Sequence, residues 1–318
     1  MRIGIQGIGI YVPNNRVNLK ELASTLYLSE NELDVLMNTH HLKEVAVETE
    51  KNANEMLIAA IENLMLHNKI DSTDVGLILF THTILQFSPF LSEPLLAIKD
   101  QFGFHNAHSM SVANLNCAGM DFLLSLSHTW LLNNNHAKSV LILTSDKTFV
   151  KDFRYLKESS VMGDAACAVL VSKGSQQNQI IASNINVDAT IFNGEASAPE
   201  EFDWFLKSVS TGIIKNLKSL LKDANFNSDD ITLIIPSNIN FPTWSNIGKI
   251  LKIPIEKFYF PTLSNTGHAH NSDPILNLHH AIYSKKIHPG DYYVTLTVWN
   301  RWYFWMYLIQ MLIKRCNS

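Results

Sequence analysis

Short apolar runs rich in β-branched residues alternate along this chain with longer stretches of helical period. Period-2 and continuous apolar patterns predict strands at Ile3–Ile10, Val75–Thr83, Ser109–Ala113, Ser139–Thr144, Ala168–Ser172, Ile180–Val187, Ile231–Pro236, Tyr292–Val298 and Phe304–Met311. Apolar residues at three- and four-residue spacing predict helices at Asn52–His67, Pro94–Phe102, Cys117–Asn133, Phe202–Lys222, Thr243–Leu251 and Asp273–Ser284. Strands alternating with helices predict an α/β fold with largely parallel, buried strands. The polar stretch Lys173–Gln179 divides the chain, and each side repeats strands and helices in similar order. Two related α/β halves are expected, residues 1–174 and 175–318.

Composition narrows the function classes. The chain has 318 residues, 46% hydrophobic and only 17% charged, with a net charge of -4. A core of that size excludes a disordered chain, and the sparse charge predicts a surface partly covered by a partner. The mild negative charge predicts no nucleic-acid partner and no anionic membrane surface. The longest apolar run, Trp302 to Ile313, is too short to span a bilayer. The opening MRIGIQGIGIYVP places glycines and a proline where a secretory leader needs an unbroken apolar core. Three widely spaced cysteines, Cys117, Cys167 and Cys316, make neither a disulfide framework nor a zinc pattern. A cytoplasmic protein is expected.

The segment Val112-Ala-Asn-Leu-Asn-Cys117-Ala-Gly-Met120 carries the sharpest chemical signal. A β-type run ends there and a long helical pattern begins at or just after Cys117. A thiol at a helix N-terminus meets unsatisfied N–H groups and a positive dipole end, which favour the reactive thiolate. Small Ala118 and Gly119 are expected to leave room for a substrate carbonyl. The competing assignment is a buried structural cysteine, which suits Cys167 inside AACAVLV.

Several segments, in order, resemble the thiolase-fold ketosynthases of the ketoacyl-carrier-protein synthase III group. They are Ile8-Gly9-Ile10-Tyr11-Val12-Pro13, Asn116-Cys117-Ala118-Gly119, Thr144-Ser145-Asp146, Met162-Gly163-Asp164-Ala165-Ala166 and His288-Pro289-Gly290-Asp291. The resemblance implies the thiolase-like fold, two α/β halves packed as α-β-α-β-α layers. It also implies an acyl-Cys117 thioester loaded from a donor thioester and passed to a second substrate. No permanently bound cofactor is implied; the donor is an acyl thioester on coenzyme A or on the phosphopantetheine of an acyl or peptidyl carrier protein. A dimer is implied, either a homodimer or a heterodimer with a related subunit, through packing of the first-half sheets.

The sequence departs from the group at three places. Ser237, in Ile235-Pro236-Ser237-Asn238-Ile239-Asn240, stands where the family has a histidine. The family's later asparagine aligns with Asn265 if an insertion precedes Pro289. Without a gap, Gly267-His268 takes that place, and this register is adopted. It resembles a subgroup in which the histidine after that glycine is catalytic and an aspartate follows, here Asp273. His268 is then the expected base and oxyanion partner of Cys117. Ser237, Asn238 and Asp273 are candidates for orienting it or binding the acceptor. The third departure replaces the family's glycine loop with Trp299-Asn300-Arg301, so Trp299 and Asn300 become candidate oxyanion or pocket residues. A remodelled pocket, aromatic core packing and loss of catalysis are all compatible with that loop.

Two further features bear on partners and metals. The family's nucleotide-holding arginine is missing from Thr39-His40-His41-Leu42, which favours a carrier-bound donor, although Lys43 is close by. His268, His270, His279, His280 and His288 crowd one region, but adjacent His279 and His280 diverge by about 100° on a helix, so no metal site is expected. The expected function is acyl transfer in specialised metabolite synthesis, by carbon–carbon condensation or by O- or N-acylation. The alternatives are a non-catalytic partner subunit of a heterodimeric ketosynthase and a thioester hydrolase.

Overall fold

A computed structural model describes residues 2–84, 94–157, 159–187, 198–298 and 303–310. Nine strands form its main sheet: β1 (Ile3–Tyr11), β2 (Val75–Thr81), β3 (His108–Ser111), β4 (Ser139–Asp146), β5 (Ala165–Lys173), β6 (Gln179–Val187), β7 (Ile231–Pro236), β8 (Tyr292–Val298) and β9 (Tyr303–Gln310). Six longer helices cover it: α1 (Ala53–His67), α2 (Pro94–Phe102), α3 (Gly119–Asn133), α4 (Pro199–Asp223), α5 (Phe241–Leu251) and α6 (Asp273–Tyr283). Every strand and helix expected from the pattern is present, most with ends shifted by one to three residues.

The strand order is β7-β8-β9-β6-β1-β5-β4-β2-β3. Pairing repeats across the centre. On one side β2 runs parallel to β4, β4 antiparallel to β5, and β5 antiparallel to β1. On the other, β7 runs parallel to β8, β8 antiparallel to β9, and β9 antiparallel to β6. β1 and β6 meet at the centre through the register Gly4↔Gln179. The expectation of largely parallel strands is therefore corrected: the sheet is mixed. Strands such as β5 are buried on both faces whichever way they run. A continuous apolar run then reports burial and not direction.

Alternate residues of the strands feed different cores. Leu141, Leu143, Ala166 and Ala168 pack on α1 and α2, whereas Val140, Ile142, Cys167 and Val169 face α3 and α6. Across the centre, Leu233 and Ile235 face that same shared core, and Ile234, Val294 and Leu296 pack under α4 and α5. The cores thus stack as α-β-α-β-α, with α3 and α6 in the middle layer. Among the described residues no helix is long and apolar enough to cross a membrane.

Local signals fix several helix starts. Asn52 caps α1 by accepting from Asn54 and Glu55 N–H, with Glu55 closing the box. Asn240 caps α5, accepting from Thr243 N–H, and Pro242 suits the first turn. A smaller lobe has no counterpart among the expected elements. Arg16–Asn18 pairs with Glu44–Ala46, and short helices between them carry Leu19, Leu26 and Leu36 into a core with Val161 and Leu263. The lobe therefore braces the segment that leads into Gly267 and His268. Within it His41 adopts φ 65° and stacks on Phe241 at 4.2 Å.

Candidate active site

Cys117 sits in the 3-10 turn Asn116–Ala118, between the exposed edge strand β3 and helix α3, with Asn114 and Asn116 in left-handed conformations on the way. Its side chain is fully buried. His268 arrives from the other half of the sequence. Gly267, at φ 75° and ψ -160°, turns the chain, and the His268 N–H donates to Val161 O at 2.9 Å while Gly163 N–H donates to His268 O at 2.9 Å. A Cβ on Gly267 would meet Val161 O at 2.6 Å. Only glycine suits both that backbone region and that approach. Arg154 pins the underlying segment: its guanidinium donates to Met162 O at 2.7 Å, to Thr148 O at 2.8 Å and to both oxygens of buried Asp164.

The two halves bring Cys117 Sγ to 3.2 Å from His268 Nε2. The other ring nitrogen, Nδ1, bonds Asp273 Oδ2. Asp273 is held in turn. Its Oδ1 accepts from Ala269 N–H at 2.7 Å and its Oδ2 from Asn238 N–H at 2.7 Å. Asn238 spends its side chain on the same turn, with Nδ2 donating to Gly267 O at 3.2 Å and Thr262 Oγ1 at 2.8 Å, while Oδ1 accepts from Asn277 Nδ2 at 2.9 Å. A thiol, an imidazole and a buried carboxylate in line have the geometry to act as a nucleophile, its base and the base's orienter. With Asp273 accepting from Nδ1, Nε2 is the ring nitrogen that faces the sulfur.

Two family descriptions match this chain. Residues 113–189 fit the 3-oxoacyl-[acyl-carrier-protein] synthase III description, and residues 221–298 fit that of its C-terminal region. They take in the nucleophile turn and the His268–Asp273 turn respectively. Over both segments the chain is similar to the ketoacyl-acyl-carrier-protein synthase III family. It is 25% identical over 312 residues to β-ketoacyl-[acyl-carrier-protein] synthase III 2 of Bacillus cereus, covering 90% of this chain and 91% of that one. Its fold resembles that of the acyltransferase ChlB3, with a TM-score of 0.86 at 18% identity and 98% of both chains covered. It also resembles 3-oxoacyl-[acyl-carrier-protein] synthase III of Aquifex aeolicus, with a TM-score of 0.81 at 18% identity, covering 97% of this chain and 99% of that one.

Several readings of the synthase III motif need adjusting. The 3-10 turn of Cys117 runs directly into α3, which begins at Gly119, so the thiol does stand at a helix start, but other influences act on it as well. Burial pushes the Cys117 thiol up, opposed by the charge and hydrogen bond of His268 and the hydrogen bond of Thr83. Burial also works against a charged His268, but Asp273 and Cys117 outweigh it and hold that imidazole well above its ordinary value. The arrangement suits proton transfer from the thiol to the adjacent imidazole. The space expected beside Gly119 is filled as well. A Cβ there would lie 2.2 Å from Thr81 Oγ1 and 3.0 Å from Asn271 Oδ1.

Ser237 lies at the end of β7, fully buried, but its hydroxyl finds no partner among the described residues. Its backbone does the bonding: Ser237 N–H donates to Leu296 O, and Ser237 O accepts from Trp244 Nε1 at 3.0 Å. The orienting part thus falls to Asp273 and Asn238. Trp299 and Asn300 lie outside the described residues.

Sequence reasoning missed Asn271, Thr83 and His270 and gave Asp146 no role of its own. Asn271 Oδ1 accepts from Met120 N–H at 3.1 Å and its Nδ2 donates to Thr83 Oγ1 at 2.9 Å, which ties the two turns together. Asp146, quoted only as part of a motif, accepts from the N–H groups of Thr83 and Ile84 at 2.6 and 2.8 Å. His270 is buried beside His268, with ring centroids 5.4 Å apart. The ligand-capable atoms of Cys117, His268 and His270 all lie within 4.8 Å of one another, a spacing that could hold a metal ion. That grouping differs from the His279–His280 pair on which the expectation of no metal rested. Both ring nitrogens of His268 already have partners, Cys117 and Asp273, so the geometry is complete as a triad.

Proposed function

We propose that this chain is an acyltransferase of the synthase III type that works through an acyl-Cys117 thioester. The Cys117–His268–Asp273 line, drawn from both halves of the chain, carries this reading. In the first half-reaction Sγ gives its proton to His268 Nε2 and attacks the carbonyl of a donor thioester. The new carbon–sulfur bond forms, the donor's carbon–sulfur bond breaks, and the departing thiolate takes the proton back from Nε2. Asp273 holds the imidazolium while it lasts.

In the second half-reaction the same Nε2, again unprotonated, faces the acceptor. It can take the proton of a hydroxyl or amine as that group attacks the acyl carbon, or donate to the carbonyl of a carbon nucleophile once protonated. Ser237, with no partner for its hydroxyl, offers no second base at the family's histidine position. This favours O- or N-acylation in specialised metabolite synthesis over decarboxylative malonyl condensation. The donor is an acyl thioester on a carrier protein or on coenzyme A. Dimerisation, with itself or a related subunit, is supported by edge strand β3, exposed along its whole length.

The test is intact-protein mass after incubation with a panel of coenzyme A and carrier-bound acyl thioesters. A mass gain that Cys117→Ala abolishes is expected, and the added mass identifies the acyl group. No gain with any donor would overturn the reading in favour of a non-catalytic partner subunit.

A further inference from the structure

Two side chains outside the triad also reach the nucleophile. Thr83 Oγ1 and His270 Nδ1 each lie 3.7 Å from Cys117 Sγ. Both are oriented by their surroundings. Asn271 Nδ2 donates to Thr83 Oγ1 at 2.9 Å, and Asp146 holds the Thr83 N–H at 2.6 Å. With that lone pair engaged, the Thr83 hydroxyl hydrogen is left to face the sulfur.

The His270 tautomer follows from the same reasoning. Its Nε2 is buried with no hydrogen-bond partner among the described residues. A hydrogen there would be a stranded donor, so the ring hydrogen belongs on Nδ1, facing Sγ. The ring is neutral as well: burial, then the nearby charges of His268 and Arg154, hold its pKa well below the ordinary histidine value. His270 reaches this position through a left-handed backbone, φ 53°, which is uncommon for a residue with a side chain.

We propose that Thr83 and His270 are catalytic donors which, with His268, make a three-point hydrogen-bond cradle around the Cys117 thiolate, and that Asn271 is the positioning residue that aims Thr83. A fully buried thiolate has lost its water, and charge-assisted hydrogen bonds are what replace it. The cradle serves both half-reactions. In the first it receives the negative charge as the proton moves to His268. In the second, the acceptor's electron pair forms the new acyl bond, the Cys117 carbon–sulfur bond breaks, and the sulfur leaves into the same three donors. The acceptor's proton passes through His268 Nε2 back to sulfur. In between, the acylated sulfur is uncharged and a weak acceptor, so the donors favour the states in which charge is present.

The inference rests on the acyl-transfer reading for its purpose but not for its measurement. Thiolate formation is followed by ultraviolet thiolate absorbance across pH, as the difference between each protein and the same protein carrying Cys117→Ala. The subtraction removes Cys167 and Cys316. The charged or titratable groups around the sulfur are His268, His270 and Asp146, with Asp273 and Arg154 behind them.

Thr83→Val keeps the shape and removes the donor. His270→Asn suits the left-handed backbone and removes the imidazole. Each is expected to leave about tenfold less thiolate at a given pH below the midpoint, and Thr83→Ser to restore the parent curve. Curves of Thr83→Val and His270→Asn that overlay the parent, in protein with unchanged circular dichroism, would overturn the cradle. So would a Thr83→Ser curve that matches Thr83→Val. Shifted curves in a protein that never gains acyl mass would uphold the cradle and overturn the proposed function.

Discussion

The backbone N–H of Asn238 donates to Asp273 Oδ2 at 2.7 Å, on the same carboxylate oxygen that holds the His268 ring. Asp273 is thus locked from the β7 side and, through Oδ1 and Ala269 N–H, from its own turn. A carboxylate fixed by two backbone donors can set the tautomer of an imidazole but cannot follow it. Asp273→Asn is therefore expected to keep the fold and misorient the base. Acyl transfer should fall by about 10²- to 10⁴-fold, the range seen when a triad carboxylate is neutralised. Single-turnover acylation followed by mass, with circular dichroism as the folding control, measures this; a loss under threefold would remove Asp273 from the relay.

Gly267→Ala tests the turn that delivers His268. The added methyl would lie 2.6 Å from Val161 O in a backbone region that side chains avoid. A loss of about 1–3 kcal/mol in urea unfolding is expected. Acylation should slow by more than the stability loss explains, because the strain is relieved by moving His268 away from Sγ. Slowing in proportion to the unfolded fraction alone would contradict this.

Stability should fall as pH rises through the weakly acidic range. Asp121, buried on α3 with Thr297 Oγ1 donating to it at 2.5 Å, has its pKa pushed up to about 7 by burial. In the unfolded chain its carboxyl titrates near 4. Between these values the folded state keeps a proton that the unfolded state has released, so stability declines with pH and levels off above about 7. Asp146, pushed up to about 6 by burial, adds to the decline over its own range. Asp121→Asn removes the first contribution. From pH 5 to pH 8 the parent should lose about 2–3 kcal/mol more than this variant in urea titrations. Equal losses would show that Asp121 is ionised in the fold.

Ser237→Ala is the contrasting case. The hydroxyl is buried without a partner, and the backbone bonds of this residue survive the change. Stability is expected to stay level or rise by about 1 kcal/mol, since an unmet polar group has been removed. Acylation kinetics should stay within twofold. A large kinetic loss would mean that Ser237 meets the substrate.

Much of this was legible in the sequence, and the rest fails for identifiable reasons. Most of the nine main strands and the six long helices announce themselves because they are long and bury apolar faces, as in Val140–Leu143 and Met56–Leu64; β3, four residues long and exposed, is the exception. Strand direction is not legible in β5, whose two buried faces erase any alternation. The lobe at residues 16–46 escapes because its pieces are three to five residues long. In the site, Cys117 and His268 are marked by motif, and Asp273 by its place five residues after His268. Thr83, Asn271 and His270 carry no such mark. Thr83 and Asn271 are 188 residues apart and meet only in space. One signal was available: Thr83 and Asp146 stand at or just past the carboxyl ends of neighbouring parallel strands, where α/β sheets gather their chemistry.

The backbone bonds that seat His268 against Val161 and Gly163 also order events in time. Synthesis delivers the thiol 151 residues ahead of its base. A ribosome-bound chain that has extended only a little past Cys117 carries its thiol without His268. Competence arrives only when the late turn closes against the early one. On the proposed mechanism, acyl loading therefore counts only molecules in which that closure has taken place.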